Sequence, residues 1–183
     1  MRLFIGIQLS DPVKTKLCEL CRELKKYAPK IMWIKEDNIH ITLKFLGETE
    51  RKDQIIDALK HQVTTSKFRL EFQGLGNFGR GLDLRILWAG IGPCEELSTL
   101  FNEIESALEP LEFPRETRRF SPHITLGRNR NGRIDQVFSE KIKRLSDHEF
   151  GVEEVNSFQL ISSTLKLSGP TYRTLADFKL SGL

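Results

Sequence analysis

This chain has too few cysteines for a disulfide framework, and no apolar run in it approaches the length that crosses a bilayer. Three cysteines, an odd count in a chain of 183 residues, point to a reducing compartment. Cys18 and Cys21 form a C-x-x-C, but they fall in a helical pattern with Val13, Leu17, Leu20 and Leu24, and no second cysteine pair follows. They read as core-facing or surface thiols, not as a redox centre or zinc site. The opening apolar stretch, Leu3 to Ile7, is too short for the core of a signal peptide and has no small-residue cleavage site behind it. A cytoplasmic protein is expected. No low-complexity linker divides the chain, so a single domain over residues 1–183 is expected, built of two interleaved lobes. Apolar and charged fractions of 39% and 29% exclude disorder.

A net charge of +3 also excludes a general basic surface. The positive charge is instead concentrated: Arg115, Arg118, Arg119, Arg128, Arg130 and Arg133 stand against the single acid Glu116 in that stretch. Alone, such a segment is as readily a solvated basic loop. Beside the residues described next it reads better as an anion site, because guanidinium groups match phosphate geometry.

What the chain does have is one tetrapeptide twice. His40-Ile41-Thr42-Leu43 and His123-Ile124-Thr125-Leu126 both alternate apolar and polar residues, the period-2 signature of a half-buried strand. On such a strand His and Thr project from the same face. A single histidine on a strand is ordinarily a hydrogen-bonded residue and nothing more. Two copies, each followed shortly by Gly47 or Gly127, make coincidence a poor account. If the strands are neighbours, two imidazoles and two hydroxyls face a common cleft.

The remaining pattern places these strands in an alternating α+β chain. Leu3–Ile7 is a buried strand, and Ser10-Asp11-Pro12 opens a helix to about Tyr27 with a capping side chain and Pro at an early helical position. A short strand at Ile31–Ile34 and a polar turn at Lys35–Asn38 lead into the first His-x-Thr strand. A helix over about 51–63 follows, with Ile55, Ile56, Leu59 and Val63 inward, then strands at 68–72 and 84–91 and a helix at 94–108. After Asn131-Gly132 come a helix at 135–145, a long strand at 155–165, a turn at Gly169-Pro170 and a last strand at 172–180. Gly74-Leu75-Gly76-Asn77-Phe78-Gly79 matches the G-x-G-x-x-G dinucleotide fingerprint by letter. That fingerprint requires a helix to open at its glycines, and here another strand follows, so a β turn or bulge is expected. Strands and helices thus run in two similar passes: two mainly antiparallel sheets backed by helices, with the cleft between them.

Two histidines in one cleft suit in-line displacement at phosphorus, one taking a proton from the attacking oxygen and the other giving one to the leaving oxygen. Threonine hydroxyls, backbone N–H groups and arginine can hold the non-bridging oxygens. No metal or cofactor is expected, since neither His-x-Thr supplies a second imidazole or thiolate. His61 and His148 fall in a helix and a polar loop and read as surface residues.

These residues resemble the 2H phosphoesterases, and among them the RNA 2′,3′-cyclic phosphodiesterases, also called 2′-5′ RNA ligases. The likeness runs through Arg2-Leu3-Phe4-Ile5, Trp33, Asn38-Ile39-His40-Ile41-Thr42-Leu43-Lys44-Phe45-Leu46-Gly47, Leu87-Trp88-Ala89-Gly90 and Pro122-His123-Ile124-Thr125-Leu126-Gly127-Arg128. Position 121, often basic in that group, is Ser121 here. The resemblance implies a bilobal fold with pseudo-twofold symmetry and metal-independent hydrolysis of RNA 2′,3′-cyclic phosphate ends to 2′-phosphates. It also implies reversible 2′-5′ ligation of RNA ends such as tRNA fragments by a monomer that needs no membrane. It makes His40 and His123 the acid–base pair, with His123 leaning to base and His40 to acid. Thr42 and Thr125 then hold the phosphate, and Arg128 adds a phosphate contact. Phe45 is either a wall for the base or ribose or a core residue of its strand. Two other readings stay open: a non-catalytic nucleotide- or RNA-binding module using the same cleft, and a phosphodiesterase for a small cyclic phosphate or a 2′-5′ oligonucleotide.

Overall fold

Segments whose alternate residues are apolar become strands here, and those with apolar residues at helical spacing become helices that cover one face of the sheet. The computed structural model describes residues 1–130, 132–167 and 169–182; Asn131, named above as the approach to the fourth helix, lies outside the described residues, as do Ser168 and Leu183. The strands are β1 (Arg2–Gln8), β2 (Met32–Trp33), β3 (His40–Glu48), β4 (Phe68–Arg80), β5 (Asp83–Ile91), β6 (His123–Arg128), β7 (Glu149–Val155), β8 (Ser157–Lys166) and β9 (Gly169–Lys179). The helices are α1 (Asp11–Lys25), α2 (Lys52–Gln62), α3 (Glu95–Leu108) and α4 (Gln136–Arg144).

The sheet runs β7-β4-β5-β6-β3-β1-β8-β9, with β2 paired to β6. Each pairing between these strands is antiparallel. The two expected sheets are the two halves of this path, and each carries its His-x-Thr strand at its inner edge. Among the described residues the halves join through one matched pair, Ile41 with Ile124. Four strands of the path lie on each side of that pair. One face of the sheet is the core. Ile5, Ile41, Leu43, Ile124 and Leu126 pack there with Leu17 and Leu24 of α1, Ile55 and Leu59 of α2, Leu100 and Ile104 of α3 and Phe138 of α4. Each such burial contributes about 1.5–3 kcal/mol.

Several expectations are corrected. Ser10 does not cap α1; its hydroxyl and N–H both donate to Glu153 on β7. The strand at 68–72 continues to Arg80 through the glycine-rich run, which β-bulges absorb between Phe72 and Leu75 and between Phe78 and Gly79. Gly74 and Gly79 take φ of 77° and 142° at these bulges, which residues with a side chain rarely adopt. Strand β7 was not expected at all. Its apolar alternation is broken by Gly151 and by Val152, which faces solvent, so only Phe150 and Val155 signal it. The long strand expected from Val155 begins instead at Ser157. Gly169 and Pro170 are not a turn but the first rungs of β9, paired with Lys166 and Leu165. Proline is tolerated there because β9 is the edge of the sheet.

An ion pair lies inside this core. Lys44 and Glu105 are 7% and 2% exposed, and Lys44 Nζ donates to Glu105 Oε1 at 2.7 Å. The remaining capacity of the pair is used on the chain that leads to β6: Lys44 Nζ donates to the Pro114 carbonyl at 2.8 Å, and the Glu116 N–H donates to Glu105 Oε2 at 2.9 Å. Removing one partner leaves a buried charge uncompensated. Lys44→Met is therefore expected to cost about 3–5 kcal/mol in urea unfolding, and Lys44→Met with Glu105→Leu to cost less than the sum of the single variants. Additive losses would show that the two side chains are not coupled.

Candidate active site

In an antiparallel pair, the neighbours of a matched residue face each other in reverse order. The match of Ile41 with Ile124 therefore sets His40 beside Thr125 and His123 beside Thr42, on the face away from the core. The four side chains occupy the corners of one patch, with the histidines on a diagonal. Each ring is fixed in the same way. His40 Nδ1 lies 2.7 Å from the Asn38 carbonyl oxygen, and His123 Nδ1 lies 2.8 Å from that of Ser121. A carbonyl only accepts, so Nδ1 carries the proton in both and Nε2 is left as the exchangeable nitrogen. At His40, Nε2 is 3.0 Å from Thr42 Oγ1.

Both strands then carry one extra residue. Gly6 pairs with Thr42 but Ile5 with Lys44, and Trp88 pairs with Thr125 but Leu87 with Gly127. Leu43 and Leu126 are the bulged residues. Strict alternation would send Phe45 and Arg128 to the core side; the bulges return both to the face of the histidines. Phe45 is accordingly 67% exposed, with its ring 6.1 Å from that of Phe4, so the core reading of this residue is wrong. Arg128 is exposed at the equivalent place on β6, near enough to His40 and Tyr172 for its charge to disfavour protonated His40 and favour ionised Tyr172. Of the other arginines, Arg115 is held by Glu109 and by Ser106 of α3, and Arg118 by Glu116.

Aromatic rings, not named as site residues from the sequence, enclose each imidazole. His40 sits against Phe4 at 4.9 Å and edge-on to Tyr172 at 5.2 Å, and His123 is edge-on to Phe78 at 4.9 Å and lies 6.4 Å from Trp88. Gly6 leaves room below the His40 ring: a Cβ there would come within 2.6 Å of the Ile41 carbonyl and 3.5 Å of the ring itself. The sequence held one hint of this second layer. Leu3–Ile7 is apolar at every position, so both of its faces are covered. Burial lowers the pKa of His40, the Asn38 carbonyl opposes that shift, and the positive charges of Arg128 and His123 add to it. Burial likewise raises that of Tyr172. His61 and His148 are exposed surface residues, as expected.

The profile of the 2′-5′ RNA ligase superfamily matches residues 14–162. The chain is 32% identical over 180 residues to the RNA 2′,3′-cyclic phosphodiesterase of Archaeoglobus fulgidus, covering 98% of this chain and 100% of that protein. It is 32% identical over 188 residues to the protein of the same name from Thermotoga maritima, covering 100% and 97%. The crystal structure of TT0787 of Thermus thermophilus superposes with a TM-score of 0.84 at 26% identity, over 100% of this chain and 99% of that one.

The charges around His40 make a prediction. In an NMR titration its ring is expected to lose its proton below the ordinary imidazole value of about 6.5, and Arg128→Gln is expected to move that midpoint upward by removing a cation that disfavours imidazolium. An unchanged midpoint in the variant would mean that the guanidinium does not act on His40.

Proposed function

This chain belongs to the 2′-5′ RNA ligase superfamily, and from that premise we propose that it hydrolyses 2′,3′-cyclic phosphate ends of RNA to 2′-phosphates, with His40 and His123 as the acid–base pair. The observation that carries this reading is the matched pair of imidazoles, each with Nδ1 bound to a backbone carbonyl, which leaves Nε2 as the nitrogen that exchanges a proton. His123 Nε2 takes the proton of a water as its oxygen attacks phosphorus. The bond from phosphorus to the 3′-oxygen breaks, and His40 Nε2 gives that oxygen its proton. Thr42, Thr125 and Arg128 hold the non-bridging oxygens as charge builds on them. Phe45 walls the side of the cleft that takes the nucleoside.

The assignment of His40 as acid fits its surroundings. Burial, Arg128 and His123 together disfavour its proton in the empty site. The negative charge of an arriving phosphodiester works against those cations and favours imidazolium, so the acid is loaded when substrate is present. A 5′-hydroxyl in place of water gives 2′-5′ ligation by the same steps, with tRNA fragments among the RNAs that could supply the two ends.

The test is a short RNA ending in a 2′,3′-cyclic phosphate, incubated in EDTA, with the product phosphate identified. A 2′-phosphate is expected, and His40→Ala or His123→Ala is expected to reduce the rate by ~10²–10⁴. A 3′-phosphate product would reverse the pose and the roles. Binding without turnover in the wild-type protein would replace this reading with that of a nucleic-acid-binding module.

A further inference from the structure

The glycine-rich run Gly74–Gly79 plays no part in the chemistry above, yet it shapes the surface beside His123. A Cβ on Gly76 would fall 2.2 Å from two atoms of the Trp88 ring, so the indole lies flat on the backbone of β4, where only glycine leaves space. Phe78, two residues on and so on the same face, has its ring 5.7 Å from that of Trp88 and 4.9 Å from that of His123. It remains 37% exposed, so its ring is open to solvent beside the His123 imidazole. The other half of the cleft has its own aromatic surface, in which Phe4 touches both Tyr172 and the exposed Phe45. An aromatic surface therefore flanks each histidine.

The proposed hydrolysis accounts for one of these. The nucleoside that bears the cyclic phosphate keeps its leaving 3′-oxygen at His40 and takes the Phe45 and Tyr172 side. On the His123 side the nucleophile is water, which needs no apolar platform. We propose that Phe78 and Trp88 form a nucleobase subsite for a second nucleoside, the one whose 5′-oxygen meets His123. This rests on the reading of the cleft given above. In the forward step the 5′-oxygen of that nucleoside bonds to phosphorus, its proton passes to His123, the bond to the 3′-oxygen breaks, and His40 protonates the 3′-oxygen. In reverse, the 3′-hydroxyl of a 2′-5′-linked dinucleotide gives its proton to His40 and its oxygen bonds to phosphorus. The 5′-oxygen then leaves with a proton from His123, and the cyclic phosphate remains. Stacking on an aromatic side chain tolerates any base, so the subsite would select for the presence of a second nucleoside and not for its sequence.

The experiment compares wild type, Phe78→Leu and Phe78→Tyr on two substrates, a nucleoside 2′,3′-cyclic phosphate and a 2′-5′-linked dinucleoside monophosphate. Affinities are measured alongside for the dinucleotide and for a 3′-mononucleotide. Any disturbance of His123 by the leucine affects both substrates, so the ratio is the readout. Phe78→Leu is expected to raise KM and Kd for the dinucleotide about tenfold or more beyond its effect on the one-base ligands, and Phe78→Tyr to restore most of that difference. Equal effects on one-base and two-base ligands would overturn the subsite, as would a selective loss in Phe45→Leu but not in Phe78→Leu. Failure of the wild type to turn over the cyclic phosphate would sink the proposed function separately. The affinity ratio would still decide the subsite.

Discussion

The site depends on one backbone match, Ile41 against Ile124. Both side chains are fully buried in the common core, so neither strand can slide without dragging an isoleucine out of it. A slip of one residue would turn each histidine and threonine toward the helices. Because the two strands belong to different halves of the sheet, the register of the histidine and threonine patch is also the register of the whole molecule. A hydrophobic contact on one face thus fixes the polar geometry on the other, and no hydrogen bond between the histidines is needed to do so.

The symmetry around this match is broken where it matters. The bulges at Leu43 and Leu126 put Lys44 and Gly127 at equivalent places on the core side, and the two halves fill that place differently. Lys44 reaches Glu105 of α3 and the chain ahead of β6. At Gly127 a Cβ would come within 2.6 Å of Ile31, so the connection carrying β2 occupies the space instead. On the cleft side the equivalent residues are Phe45 and Arg128. One end of the patch is therefore aromatic and the other cationic. Arg128 acts on His40, the histidine of the opposite half, and its charge adds to the burial that already disfavours imidazolium there.

This division explains what could be read from the sequence. His40, Thr42, His123 and Thr125 obey the period of two, and their shared face was legible from alternation alone. Phe45 and Arg128 break that period, since a bulge is a relation between two strands and leaves no mark in one of them; the resemblance to a family pointed to both, and charge density to Arg128 as well. Phe4 and Tyr172 come from opposite ends of the chain and Phe78 and Trp88 from the hairpin of β4 and β5, and nothing local marks a ring as facing an imidazole. The arginine cluster is legible as charge density but not as pairing. Charge density in sequence does not reveal that Glu109 and Glu116 neutralise Arg115 and Arg118 locally. The glycine fingerprint was rightly discounted because a strand follows it, but the purpose of Gly76 lies across the sheet in Trp88.

The aromatic packing and the cation together set how the proposed acid works. An imidazole held between Phe4 and Tyr172 has lost water that would solvate its charged form, and Arg128 and His123 add repulsion. Such a group holds its proton weakly, which makes it a strong donor once protonated. It is a poor donor in an empty cleft, where it is seldom protonated near neutrality. In the proposed reaction a phosphodiester anion would offset the charge of Arg128 at the point where the proton is needed. Occupancy and acid strength are in this way coupled through charge alone, in a site whose backbone is already fixed by the core beneath it.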